Sequence, residues 1–338
     1  MKALQVTASL LIFSASLFFT KTVNAQVPVI RIDGSSTVFP ITEAMAEEYQ
    51  TSKRGKVRVT VGISGTGGGF KKFCRGEIDV QNASRPIQTG ELEKCREKSI
   101  RFLELPIAYD ATAIIVSPKN KWLKSITVAE LKTMWSPKAQ GKVMLWSDVN
   151  PEWPKEKMKL FGAGSDSGTF DYFTEAVVGK SKSSRGDYTA SEDDNTLVMG
   201  VANDANAIGY IPLAYAEENI SKLRIVPVVG GDKAPKKNEP VIPGRATVES
   251  GDYFPLSRPV FIYVAEKSLA KPEIVEFVNF YMKNSPTIVP EVKYVPLPLE
   301  AYTIGQDHLK TKKFGTVFSG HTEIGIKIDQ LMKRETAQ

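Results

Sequence analysis

The chain has 338 residues and a formal net charge of +6, long enough for two domains and too mildly basic for a nucleic-acid binder. Its lysines alternate with glutamates, as in Glu152-Trp153-Pro154-Lys155-Glu156-Lys157, the pattern of a solvated mixed surface. The two histidines, His308 and His321, have no nearby cysteine or clustered acids, so no metal or other cofactor is expected.

The first element in chain order reads as an export signal. Lys2 supplies a positive end, Ala8 to Phe19 an apolar stretch too short to span a bilayer, and Val23-Asn24-Ala25 the residues a signal peptidase reads. Cleavage after Ala25 removes Lys2 and Lys21 and no acids, lowering the formal charge from +6 to +4. No cysteine follows the apolar core to carry a lipid anchor. The remainder, about 310 residues, is expected outside the cytoplasm.

From there short β-rich runs alternate with helical patterns, which predicts an α/β fold. Val27 to Ile32 reads as a strand, and the spacing of Ile41, Ala44, Met45 and Tyr49 after Pro40 as a helix. Val57 to Val61 alternates as a strand; Phe70, Phe73, Cys74 and Ile78 share a helical face. Ile100 to Val116 reads as consecutive buried strands broken at Pro106. Val128 to Trp135 is a short helix with Thr127 as its cap. Lys159 to Phe161 is a strand, and Phe170, Phe173, Ala176 and Val177 line the helix after the next turn. Thr196–Ala202 (helix), Ala207–Ile211 (strand), Pro259–Ala265 (strand) and Ile274–Met282 (helix) follow, with Gly230 to Glu239 a surface excursion.

Three turns share one design, small hydroxyl and glycine residues feeding directly into a helix. They are Gly34-Ser35-Ser36-Thr37-Val38-Phe39-Pro40, Ser64-Gly65-Thr66-Gly67-Gly68-Gly69-Phe70 and Gly164-Ser165-Asp166-Ser167-Gly168-Thr169-Phe170. Helix N-termini present unpaired N–H groups at the positive end of the macrodipole. Three of them predict an oxyanion held between converging helix ends. The second turn lacks the lysine of a nucleotide P-loop and fails the dinucleotide fingerprint at Phe70. The third places Asp166 where a hydrolase elbow has its serine.

Two charged residues accompany the turns. Arg85, in Asn82-Ala83-Ser84-Arg85-Pro86-Ile87, carries a fork of donors matched to two oxygens of a tetrahedral anion; the plainer reading is a surface ion pair. Asp166 suits an anion that still carries a proton, as monohydrogen phosphate does and sulfate does not; equally, it caps the helix. Cys74 and Cys95, about twenty residues apart in an exported chain, read as one disulfide worth roughly 3 kcal/mol.

Taken in this order, the Gly-Ser-Ser-Thr-Val-Phe-Pro turn, the glycine run, Ala-Ser-Arg-Pro-Ile, Ser-Asp-Ser-Gly-Thr-Phe and Asn206-Ala207-Ile208-Gly209-Tyr210 resemble the phosphate-binding proteins of ABC-type phosphate importers, in a Ser-Arg-Pro-Ile variant. The similarity runs from Ile30 to about Ala265 and more loosely to the end. It implies a two-lobed, type II-like periplasmic-binding-protein architecture with a ligand cleft between lobes. The expected division is a signal peptide over 1–25, one lobe from 26–110 plus 255–338, and a second from 111–254. It implies a phosphate site of Ser36, Thr37, Val38, Thr66, Gly67, Arg85, Asp166, Ser167, Gly168 and Thr169. The best-known family pattern has an aspartate where Arg85 stands and an arginine where Ala163 stands, and Val38 replaces a threonine, leaving only its backbone. The implied partners are inorganic phosphate and the permease subunits of an inner-membrane transporter. The protein is expected to be a periplasmic monomer with no catalysis. Sulfate or arsenate binding and a secreted phosphatase are the alternatives.

Overall fold

The computed structural model describes residues 27–337; the export-signal reading of 1–25 lies outside them. Eleven strands are found among the described residues: β1 (Val29–Gly34), β2 (Arg58–Val61), β3 (Val80–Ala83), β4 (Phe102–Val116), β5 (Ile126–Thr127), β6 (Lys159–Ala163), β7 (Thr189–Ser191), β8 (Ala207–Pro212), β9 (Arg224–Val226), β10 (Val228–Val229) and β11 (Ser257–Ala265). Nine form one sheet in the order β2-β1-β3-β11-β4-β8-β6-β7, with β9 also on β4; β5 and β10 pair separately. This is the mixed α/β architecture the alternation predicts.

β4 joins the two halves of that sheet. Its first part, Phe102 to Ala111, pairs antiparallel with β11, which leads on to β3, β1 and β2. Its second part, Thr112 to Val116, pairs with β8, which leads to β6 and β7. The expectation of consecutive strands broken at Pro106 is corrected: β4 is one strand of 15 residues. Pro106 is absorbed because the register with β11 shifts between Val260 and Phe261, and Pro106 falls opposite Phe261 at that irregularity. A missing ladder N–H is tolerated at such a point.

Helices pack against the sheet, for local reasons visible in the chain. The helix Phe39–Ser52 starts with Pro40 in its first turn and buries Ile41, Met45 and Tyr49. Burying each such side chain contributes about 1.5–3 kcal/mol. Thr127 Oγ1 accepts from the Glu130 amide at 3.0 Å, the expected cap of helix Val128–Trp135. The helix Pro272–Glu291 is longer than the predicted 274–282 and packs on Phe39–Ser52. The Cys74–Cys95 disulfide is formed, joining the end of helix Gly65–Phe73 to helix Thr89–Glu97.

The turns that matter lie at the C-terminal ends of parallel strands. β1 delivers Ser35–Val38, β2 delivers Ser64 and helix Gly65–Phe73, β3 delivers Ser84 and Arg85, and β6 delivers Gly164–Ser167 and helix Gly168–Phe173. Open α/β sheets place small-molecule sites at such ends.

Candidate oxyanion site

The turns converge. Thr37 Oγ1 of the first lies 3.0 Å from Thr169 Oγ1 of the third, and the Gly67 amide of the second donates to the Asp166 carbonyl of the third at 2.9 Å. Thr66 Oγ1 meets Ser84 Oγ at 3.1 Å and accepts from the Ser84 amide at 3.1 Å. A Cβ on Gly168 would stand 2.4 Å from Ser84 Oγ and 2.5 Å from Thr66 Oγ1, so only glycine lets the two halves meet there. Ser36, Thr37, Val38, Thr66, Ser167 and Thr169 are all buried.

Donors collect in this buried volume without acceptors of their own. Among the described residues the amides of Ser36, Thr37, Val38 and Gly168 donate to no protein acceptor. They precede or open helices, where intrahelical partners do not exist. Buried N–H groups are nearly always paired, so these four mark a place for an acceptor from outside. Ser167 Oγ is engaged as the helix cap, accepting from the Thr169 amide at 3.1 Å.

The glycine run divides its work. Gly65, at φ +72°, would put a Cβ 2.4 Å from the Asp166 carbonyl oxygen, so it permits the cross-cleft approach. Gly69 instead packs inward, its Cβ position 2.0 Å from Gln81 Oε1 and 2.6 Å from the Gly34 backbone. Its role is helix-to-sheet packing.

Arg85 is brought behind the second turn rather than presented to it. Its guanidinium is fully buried and takes Glu91 through both Nη atoms at 2.8 Å, Asp171 Oδ2 through Nε at 2.7 Å, and the Pro86 carbonyl at 3.0 Å. The ion-pair reading is the one realised, but inside the protein rather than on its surface. Only a second proton on Nη2, 3.9 Å from the Cβ position of Gly67, lacks a partner among the described residues. Burial raises the Asp171 carboxyl above the ordinary range, against the pull of Arg85 and Lys182.

The cation in contact with the hydroxyl cluster is Arg258 of β11. It donates from Nη1 to the Gly168 carbonyl at 2.8 Å, from Nη2 to Thr169 Oγ1 at 2.8 Å, and from Nη2 and Nε to Asp110 Oδ2 at 3.1 and 3.3 Å. The chain reading missed it. The available signal was a repeated tripeptide: Ser257-Arg258-Pro259 has the same residues as Ser84-Arg85-Pro86.

The carboxylates are also redistributed. Asp166 Oδ1 accepts from Lys71 Nζ at 2.8 Å with its side chain 41 % exposed, at the rim of the cluster. Capping of the third helix belongs to Ser167, which corrects the cap alternative for Asp166. Two acids the chain reading passed over sit inside. Asp110, on β4, is buried beside Arg258; burial pushes its carboxyl up to about 6, with Arg258 pulling it back. Asp194, opening helix Asp194–Ala202, is buried next to the Ser36 hydroxyl, and burial pushes it up to about 7. Asp110 Oδ1 and Asp194 Oδ2 have no hydrogen-bond partner among the described residues. No group of three or more His, Cys, Asp or Glu able to hold a metal is found there either.

A family model described as a PBP superfamily domain matches residues 20–285. Protein SphX of Synechococcus elongatus is 47 % identical over 323 residues, covering 95 % of this chain and 93 % of SphX. The phosphate-binding protein PstS of Staphylococcus saprophyticus is 37 % identical over 283 residues, 83 % of this chain and 84 % of PstS. Among solved structures, a substrate-binding protein assigned to phosphate ABC transport from Clostridium perfringens, with bound phosphate, superposes with a TM-score of 0.66 at 25 % identity over 80 % of this chain and all of that one. A possible phosphate binding protein from Planctomyces limnophilus gives 0.62 at 46 % identity, over 85 % of this chain and 99 % of its own.

Proposed function

Because the chain belongs to the PBP superfamily, we propose that it captures inorganic phosphate outside the cytoplasm and delivers it to the permease of an ABC-type importer. The capturing units are two lobes, residues 26–110 with 255–338 and residues 111–254, that close about β4 and β11. Binding involves no bond-making step. The protein acts as a monomer in the periplasm after cleavage behind Ala25.

One observation carries the reading: among the described residues the buried amides of Ser36–Val38 and Gly168 donate to no protein acceptor, on turns that the Thr37–Thr169 contact joins beside Arg258. That is a receptor for a small oxyanion. The proposed ligand donors are the amides of Ser36, Thr37, Val38 and Gly168, the hydroxyls of Thr37, Thr66, Ser84 and Thr169, and Arg258. Ser167, Gly67, Arg85 and Asp166 hold the turns in place around them. Several hydrogen bonds to charged oxygens at about 1.5–3 kcal/mol each support a dissociation constant around micromolar or below.

Selectivity against sulfate requires an ionised acceptor for the ligand's proton. Asp110 fits, since its carboxyl at about 6 is ionised at neutral pH and its Oδ1 is unpartnered. Calorimetry of phosphate against sulfate tests both statements. Strong preference for phosphate that is abolished in Asp110→Asn and kept in Asp166→Asn is expected. Equal affinities for the two anions in the unmodified protein refute the assignment of phosphate.

A further inference from the structure

The closed cluster holds more carboxylate than cation. Two buried guanidiniums, Arg85 and Arg258, face four acids. Glu91 and Asp171 share Arg85, and Asp110 takes Arg258. The fourth, Asp194, is 3 % exposed and has no ion pair among the described residues. It arrives from the β6–β8 half of the sheet and meets Ser36 from the other half, with Oδ2 unpartnered. Around it stand Asp193 on its own helix, Asp110 on β4, Arg258 on β11, Tyr215, whose hydroxyl donates to the Ser36 carbonyl, and Tyr294, whose hydroxyl donates to the Thr37 carbonyl.

An ionised Asp194 here would be an unpaired buried charge, costing several kcal/mol, beside the turn where a further anion enters. Protonated, the same group stops repelling that anion and becomes a hydrogen-bond donor. We propose that Asp194 is neutral in the closed cleft, and that the protein takes this proton from solvent each time it closes on a doubly charged oxyanion.

In the open form the side chain meets water and ionises as an ordinary carboxylate, near pH 4. On closing, one solvent proton joins an Asp194 oxygen; no other bond forms or breaks, and opening returns it. Burial, helped by Asp110 and opposed by Ser36 and Arg258, already lifts the group to about 7. A bound dianion lifts it further. A value raised on closing favours closure at low pH, and the advantage is lost as pH rises from the open-form value through the closed-form one. Asp110, lower and paired, stays ionised. Two buried acids thus take opposite roles, donor and acceptor.

The inference rests on the phosphate-capture reading, and one experiment separates their failures. Titration calorimetry of inorganic phosphate at about pH 7.5, in buffers of different ionisation enthalpy, counts protons taken up per phosphate. Asp194→Asn offers a neutral donor that cannot titrate, so the difference between the two proteins cancels the ionisation of phosphate itself. A difference approaching about one proton is expected, with the affinity ratio shifting toward the variant as pH rises. Phosphate bound with equal proton counts in both overturns this inference alone; no binding of phosphate by the unmodified protein overturns the function as well. Infrared difference spectra of the unmodified protein, carrying isotope-labelled aspartate, keep the test open should Asp194→Asn not fold. A protonated carboxyl gained on adding phosphate supports the inference, and its absence defeats it.

Discussion

Replacing Asp171 with alanine should weaken phosphate capture without unfolding the protein. Arg85 follows β3 in one half of the sheet, and Asp171 sits in helix Gly168–Phe173 after β6 in the other. Their 2.7 Å contact, with side chains 0 % and 1 % exposed, therefore bridges the halves in the dry. Removing one member of a buried pair costs about 3–5 kcal/mol when the survivor is stranded. Here Arg85 keeps both Glu91 oxygens and the Pro86 carbonyl, so the loss shrinks to one charge-assisted hydrogen bond, about 1.5–3 kcal/mol. Because that bond exists only while the halves are together, the loss falls on closure and lowers affinity about ten- to hundredfold. Phosphate calorimetry measures the affinity, and thermal unfolding without phosphate measures the fold. Affinity within about twofold of the parent would refute the bridge; an equal loss in ligand-free stability would show that the pair holds the fold and not the closure.

Arg258→Lys should reduce phosphate affinity more than Asp171→Ala, because a lysine cannot reach Asp110, the Gly168 carbonyl and Thr169 together; about 3 kcal/mol is expected by calorimetry. Gly168→Ala places a Cβ within 2.5 Å of the Ser84 and Thr66 hydroxyls, so small-angle scattering with phosphate should show a protein unable to compact as the parent does. Replacing Cys74 and Cys95 together by serine should lower unfolding stability by roughly 3 kcal/mol in a denaturant titration, since the bridge closes a loop with a sequence separation of 21. The oxidised protein should show no alkylatable thiol by mass.

The chain declared its turns and hid its charges. The turns that carry Ser36, Thr37, Thr66, Gly168 and Thr169 are legible because a helix start is a local event, written in a glycine and hydroxyl pattern, and the structure brings those turns together. Arg85 and Asp166 lie on or next to those turns, yet their place in sequence does not fix where their charges point. Their orientation is set by Glu91, Asp171 and Lys71, which lie on other elements. Arg258, Asp110 and Asp194 sit far from any turn motif and enter the cluster only when β11, β4 and helix Asp194–Ala202 assemble. The reading of 100–116 failed for a similar reason, since Pro106 is harmless only opposite a register shift that β11 supplies.

Both guanidiniums buried in the cluster are already engaged by the protein's own acids, and for the proposed function this sets how capture can be reversed. An arginine free to grip a dianion in a dry cleft would hold it with a large electrostatic attraction and release it slowly. Arg85 donates all but one of its N–H groups to Glu91, Asp171 and Pro86, and Arg258 divides its donors among Asp110, Gly168 and Thr169. In the proposed site most of the attraction for phosphate would then come from neutral dipoles, the amides of Ser36, Thr37, Val38 and Gly168 and the hydroxyls beside them. Such dipoles bind strongly only when water is excluded and when both halves contribute at once. Separating the halves breaks Thr37 from Thr169, Gly67 from Asp166 and Arg85 from Asp171 together. Each remaining donor then faces water, which competes for it on nearly equal terms. For the proposed capture, whatever opens the cleft would therefore also empty it, with no further interaction with the anion needed to drive release.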